Sequence, residues 1–466
     1  MRTPGRGFVN VYLINFSLQF FVLDFVNQYL SGYRSKNDDS YMAAAIVLSL
    51  LYVLVIWALS AIPSFKRTSS SAFDTLVSGG YPFSRYAILL WLTFRIYLWG
   101  KYGIRSLSYL DPFEHGVAQG SPLRYVENVF LLSLQYLGSG AVMALVVRLA
   151  LRGYRGISLL EWSLLVVFFG FILLGEAPLG VRRTVILYAM IFITTYSISR
   201  SRSTKVFGLS LVIGVIGVAF IEYYQQIRFN AQNPRVIHLL SSGNIPDILS
   251  GLAAYLTPGT QPSTVHGFRS GGLDYLATCV RWVEQSGRIL GGGVMLFAFY
   301  MVIPSALLSG KPTIDIDTFV TRFYQAEDTD YAANILANMY VDLGVFGIVV
   351  SPFLWVSTMY FMLFILSRAK TNGPLALSVS GMIFGMLSLV EGSLVSLFVH
   401  IRDIFIVLPV FYLIGLVFGR SKGIASVRGS PDSQNVQHPD LSAGSSVQGS
   451  GYQLLSNGPR RPEQIS

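Results

Sequence analysis

Residues 42–62 read MAAAIVLSLLYVLVIWALSAI, an unbroken run without a single charge. An α-helix of that length is about 30 Å long, the thickness of a bilayer's hydrocarbon core. The stretch is therefore expected to cross a membrane. Runs of similar character at 8–30, 86–102, 127–147, 157–176, 184–199, 206–223, 344–367, 375–399 and 402–419 bring the expected number of spans to ten. Composition agrees with this reading: 52% of residues are hydrophobic and 12% charged, with a mean hydropathy of +0.54, whereas an ordinary soluble domain is about 25% charged. The expected fold is all-α, a polytopic transmembrane helical bundle.

Orientation follows from where Lys and Arg fall, because cytoplasmic loops collect them. With Met1, Arg2 and Arg6 inside, ten spans also place Lys66/Arg67, Arg148/Arg152/Arg155, Arg200/Arg202/Lys205, Arg368/Lys370 and Arg420/Lys422 inside, and every one of these segments is basic. Both termini are then cytoplasmic. The expected organisation is N-terminal spans over 1–222, a large outer loop over 223–343, C-terminal spans over 344–420, and a Ser, Gly, Gln and Pro-rich tail over 421–466 that cannot bury enough apolar surface to fold. The first span carries Asn10, Asn15, Asp24 and Asn27, so it must face protein or water on one side or else lie partly in the interface. It has no small-residue cleavage site and is not read as a signal peptide. The apolar run 294–308 is interrupted by Pro304 and is short for a span; a re-entrant or interfacial helix is expected there.

The outer loop is dense in charge, and charge of that density belongs in water. The formal net charge of +10 does not point to nucleic acid, since the basic residues sit in short loops and form no stripe with stacking aromatics. The lone Cys279 excludes an internal disulfide and reads as a small packing residue. The five histidines show no metal-ligand spacing, and no GxSxG, P-loop or GxGxxG occurs. Asp315 and Asp317 make a weak DxD, and Arg281 with Gly292 an equally weak Arg-x10-Gly. No metal and no cofactor are expected.

Charges at the outer ends of spans are the informative anomaly. Glu176, Arg182 and Arg183 occupy a short turn between the fifth and sixth spans, Arg228 follows the seventh after Tyr223, Tyr224, Gln225 and Gln226, and Arg402 starts the tenth. Each arginine, taken singly, can snorkel to lipid headgroups or pair locally, as Arg182 with Glu176. Taken together on one face they suit an anionic ligand, because a planar guanidinium grips phosphate oxygens in a fork. Glu391 is read inside the ninth span, where an acid is either functional or held in an ion pair with Arg402 or Arg95. Asp330 and Asp342 stand behind it as reserve acids.

Four stretches carry a family resemblance, in order along the chain: GEAPLGVRRTVILY (175–188), FAFYMVIPSALLSGKP (297–312), NMYVDLGVFGIV (338–349) and VEGSLVSLFVHIRDI (390–404). Together they resemble Wzy-type O-antigen polymerases, in particular the group of the enterobacterial common antigen polymerase. Val390 stands where that group has an arginine before the Glu-Gly pair, and the tail has no counterpart. The resemblance implies an inner-membrane glycosyltransferase that joins oligosaccharide repeat units carried on undecaprenyl pyrophosphate at the periplasmic face, working beside a flippase and a chain-length regulator. It implies Glu391 as general base and Arg182, Arg183, Tyr224, Arg228, Arg281, Arg288, Arg322 and Arg402 as substrate contacts. Tyr275, Trp282 and Tyr324 then either stack on sugar faces or anchor at the membrane interface. An O-antigen ligase-like transferase and a lipid-linked glycan flippase or transporter are the alternatives.

Overall fold

The computed structural model describes residues 7–22, 37–102, 122–176, 183–200, 235, 238–239, 244–256, 272–303, 316–325 and 334–427. Its regular elements are all helical: α1 (Gly7–Ser17), α2 (Asp39–Ser60), α3 (Pro63–Thr75), α4 (Tyr81–Tyr102), α5 (Pro122–Arg152), α6 (Leu159–Glu176), α7 (Arg183–Arg200), α8 (Ile245–Leu256), α9 (Gly272–Ser286), α10 (Gly293–Val302), α11 (Ile316–Phe323), α12 (Ile335–Leu343), α13 (Val345–Arg368), α14 (Gly373–Ser388) and α15 (Leu394–Val427). There is no strand among the described residues. Contacts divide the chain into residues Met1–Arg420 and Ser421–Ser466; of the second unit only the end of α15 is described.

Four stretches are long and apolar enough to cross a membrane: Asp39–Ser60, Val129–Arg152, Val345–Arg368 and Leu394–Gly415. Shorter apolar helices occupy Gly7–Phe21, Leu159–Ile172, Thr184–Ser197, Gly293–Val302 and Gly373–Ser388. The chain is thus a helical protein built to sit in a membrane. The expected span 206–223 lies outside the described residues.

The bundle is assembled around α5, whose middle turns are wrapped by other helices; Ala141 to Leu145 and Val147 are fully buried. Its closest partner is α14. A Cβ on Gly140 would collide with the carbonyl of Leu377, and one on Gly381 with the carbonyl of Tyr136. Glycine is therefore required on both sides of the crossing, and the two backbones touch. Membrane helices gain most of their association from such close van der Waals approach, because lipid tails are as apolar as the side chains themselves. On its far side α5 packs on α4 and α7.

The turn from α5 into α6 is locked by a capping box. Ser158 donates its backbone N–H to Glu161 Oε2 at 2.7 Å, while Glu161 N–H points back to Ser158 Oγ at 3.3 Å. Tyr81 donates its hydroxyl to the same carboxylate at 3.0 Å, and Arg148 stacks over the Tyr81 ring at 3.5 Å. The stretch expected as a loop before the third span is a helix, α3, packed on α13 through Phe65 and Tyr360. Its Lys66 and Arg67 are exposed.

Helix α1 threads between α2, α7, α13 and α14. Tyr12 stacks on Trp355 at 4.0 Å and shares a 2.8 Å hydroxyl contact with Tyr52. The expectation that the polar face of the first span meets protein holds for Asn15, which is 2% exposed. After Ser17 the helix widens into a π-helical turn, Leu18–Val22, a rare form that recurs at functional sites.

Candidate functional site

The expected ninth and tenth spans divide elsewhere than their apolar composition indicates. Helix α14 ends at Ser388, a 3-10 turn covers Leu389–Glu391, and α15 begins at Leu394. Glu391 consequently stands on a non-helical break rather than inside a span, and Arg402 lies in the third turn of α15 rather than at a helix start. The break is signalled only by Gly392-Ser393, since the residues on either side remain apolar. It is nevertheless deep in the protein: Leu389, Val390 and Leu394 are 5%, 2% and 0% exposed.

Irregular backbone among apolar helices must find hydrogen-bond partners within the protein. Asn15 on α1 donates its amide to the carbonyl of Leu387 at 3.1 Å, and Trp355 on α13 donates its indole N–H to Met386 O at 3.4 Å. On the other side Asn338 of α12 accepts the Leu394 N–H at 3.1 Å, and Ser393 Oγ accepts the Ser396 N–H at 3.3 Å. Gln19, in the π-helical turn, donates to Asn15 Oδ1 at 2.9 Å. Three separate elements, α1, α12 and α13, thus bring polar side chains to one break, and Gln19 is joined to it through Asn15. Asn338 and Gln19 were absent from the sequence-based candidates; an amide in an otherwise apolar helix was the only available signal.

Two turns into α15, Asp403 is 1% exposed. Its Oδ1 accepts from Arg402 Nε at 3.0 Å and Nη2 at 2.8 Å, and its Oδ2 accepts from Tyr136 of α5 at 2.8 Å. A buried carboxylate needs this much compensation. Arg402 Nη1 reaches the carbonyl of Val302, the last residue of α10, at 3.5 Å. Arg402 is therefore committed largely to Asp403, its neighbour in sequence. Arg95, 5% exposed, bonds Gln135 and lies over the Trp91 ring at 5.1 Å. His400 Nδ1 meets Ser396 O at 2.8 Å, and its ring fills the space left by Gly385.

Asp342 is not a spare acid. Fully buried, it accepts the backbone N–H groups of Gly292 and Val294 on Oδ1 at 2.9 and 3.0 Å, and of Met295 on Oδ2 at 3.0 Å. It caps the N-terminus of α10 from another element, and negative charge there is favourable. The cap also explains how the apolar run around 294 forms a helix of ten residues that stops before Pro304.

The aromatic candidates of the loop also serve the core. Tyr275 is 0% exposed and donates to Asp317 Oδ1 at 3.1 Å; Trp282 is 8% exposed and stacks on Tyr324 at 5.7 Å. Tyr275 meets Trp282 edge-on at 6.4 Å, and with both rings buried neither offers a face to a sugar or an interface. Burial pushes the Cys279 thiol well up, and Asp317 adds to the effect; Tyr275 is raised for the same first reason. The Tyr324 hydroxyl donates to the carbonyl of Arg288 at 3.1 Å, which brings the exposed Arg288 beside α11, where Arg322 is also exposed. Arg281 is half-buried on α9. Arg182, Tyr224, Arg228 and Asp330 lie outside the described residues, as do the side chains of Arg183 and Glu391, whose backbone positions open α7 and close the 3-10 turn.

No protein-family model, curated protein or solved structure matches the chain.

Proposed function

We infer that the chain is a membrane glycosyltransferase of the Wzy-polymerase kind, with ten spans, an outward loop over 223–343 and its active face periplasmic. The observation that carries the reading is the helix break bearing Glu391 and Gly392, sunk among apolar helices yet bonded by the side chains of Asn15, Asn338 and Trp355, with Gln19 behind Asn15. A regular span needs no such surroundings; a break that receives a polar substrate does. The four ordered stretches resembling the polymerases support the same conclusion.

In the reaction, the acceptor sugar hydroxyl of one undecaprenyl-pyrophosphate-linked unit attacks the anomeric carbon of the growing chain. The bond from that carbon to the pyrophosphate oxygen breaks, and the hydroxyl proton passes to Glu391. Negative charge grows on the departing pyrophosphate, so fixed guanidinium groups in a partly dry cleft act mainly on the transition state. Arg182, Arg183 and Arg228 fill that role, with Tyr224, Arg281, Arg288, Arg322 and Arg402 along the glycan. Arg402 contributes through Nη1, its other donors being held by Asp403.

An interrupted helix also occurs in secondary transporters, which keeps a lipid-linked glycan flippase as the second reading. Deleting the gene in its host separates the possibilities by gel and mass spectrometry of lipid A glycans. Loss of a polymerase leaves single repeats on lipid A, loss of a flippase leaves none, and loss of a ligase strands finished polymer on the undecaprenyl carrier. Arg183→Ala and Arg228→Ala are expected to reproduce the single-repeat pattern with the protein still inserted; normal ladders in both would remove these arginines from the site.

A further inference from the structure

The amides around the break can be oriented without ambiguity, because Asn15 and Asn338 are each anchored to a backbone group of fixed polarity and Gln19 is anchored to Asn15. The carbonyl of Leu387 can only accept, so Asn15 must present its Nδ2 there. That leaves Asn15 Oδ1 as the acceptor for Gln19, which must therefore offer Nε2 and keep Oε1 in reserve. On the opposite side the N–H of Leu394 can only donate, so Asn338 must present Oδ1 and keep Nδ2 in reserve. Both reserved atoms are buried, and neither has a hydrogen-bond partner among the described residues. Their residues are 8% and 0% exposed. A buried amide oxygen or nitrogen left unpaired forfeits the hydrogen bond it would make in water. Here there is one acceptor, on the residue bonded to Asn15, and one donor, on the residue that accepts from Leu394.

We propose that this break is a recognition site for a neutral hydroxyl-bearing ligand, to which Asn338 Nδ2 donates and from which Gln19 Oε1 accepts. A hydroxyl supplies both an acceptor and a donor; a phosphate would satisfy Asn338 and be repelled by the Gln19 oxygen. The two amides serve one hydroxyl or two hydroxyls of one saccharide. Resting on the polymerase reading above, this makes Asn338 and Gln19 positioning residues for the acceptor sugar, on the same break as Glu391, while the arginines bind the pyrophosphate elsewhere. The division of labour separates a neutral acceptor pocket from a cationic leaving-group pocket.

The test uses the full chain in nanodiscs with the lipid-linked repeat unit that accumulates in cells lacking the gene. Asn338→Asp keeps the acceptor for Leu394 N–H and, when ionised, replaces only the reserved donor. Gln19→Met removes the reserved acceptor at equal length. Each variant is expected to raise KM for the acceptor unit about tenfold, with a smaller change in kcat. For Asn338→Asp the ratio to wild type should narrow as pH falls and the carboxyl regains a proton to donate, a trend that a purely structural amide would not produce. If both variants lower thermal stability and leave KM unchanged, the reserved atoms hold only an ordered water and the proposal is overturned. A wild-type chain that makes no polymer from this unit would instead bring down the polymerase reading, and the acceptor site with it.

Discussion

Asp342 shows how a residue's partners decide its role more firmly than its chemistry. An aspartate in an outer loop reads as a possible base, but three backbone N–H groups from 47 to 50 positions earlier use both of its oxygens. Asp342→Asn should therefore lower stability by about 1–3 kcal/mol, because one of the N–H groups meets an amide nitrogen instead of an acceptor. Thermal unfolding in detergent measures this, and a variant that loses turnover at unchanged melting temperature would return Asp342 to the list of catalytic acids. The Arg402–Asp403 pair makes a related point. Removing Arg402 leaves a carboxylate of 1% exposure with Tyr136 alone. The cost should be about 2 kcal/mol, below the 3–5 typical of a fully buried pair because the Arg402 side chain is 32% exposed. If Arg402→Gln is no less stable than wild type, the guanidinium is not what compensates the buried Asp403 carboxylate. Cys279 provides the pH-dependent case. Its thiol is raised by burial and then by Asp317, above the ordinary 9.0. Stability from keeping it neutral is complete below the unfolded thiol's value and is lost as pH rises from there towards the folded value. A maleimide should leave it unmodified at pH 7 until the protein is denatured; rapid labelling of folded protein would contradict its burial.

At the scale of elements, the α5–α14 crossing and the α14–α15 break have opposite legibility. Gly140 and Gly381 sit in helices that apolar composition readily identifies, yet nothing local indicates that each is pressed against a carbonyl of the other helix. Gly140→Leu or Gly381→Leu should force the helices apart, at a cost of about 3 kcal/mol or more, and a variant that purifies monodisperse with unchanged melting temperature would refute the contact. The break was misplaced in the sequence-based reading for a physical reason: the apolar residues from 394 to 401 continue the hydropathy of α14, so only Gly392-Ser393 marks the turn, and the groups that stabilise it come from residues as distant as Asn15 and Asn338. Helix α3 is hidden in the sequence for the reverse reason. Lys66, Arg67 and Ser69 to Ser71 make it look like a connecting loop, whereas Phe65, Ala72 and Phe73 give it a buried face. What composition records is the local tendency to be apolar or polar; pairing across the fold is not written in it. The glutamate and arginine singled out by their chemistry could be found in sequence, and the amides that frame the break could not.

The proposed topology of the whole molecule separates charge by side, and that separation can be tested with the protein's own cysteine chemistry. Because the sole native cysteine is buried, the wild-type chain should be silent towards a membrane-impermeant maleimide, and any introduced cysteine reports only its own location. Gln285, at the end of α9, is exposed, as are Arg67 on α3 and Lys370 in the turn between α13 and α14. Basic loops are retained on the cytoplasmic side during insertion, so Arg67 and Lys370 belong inside. With Glu391 and the arginines assigned to the periplasmic face, Gln285 belongs outside. In intact spheroplasts Gln285→Cys should label within minutes, while Arg67→Cys and Lys370→Cys should label only after permeabilisation. Labelling of all three from outside would show that the basic loops do not set the orientation. Protection of Gln285→Cys together with labelling of the other two would invert the molecule, placing the loop in the cytoplasm, where lipid-linked units have not yet been translocated and a polymerase of this kind has no substrate.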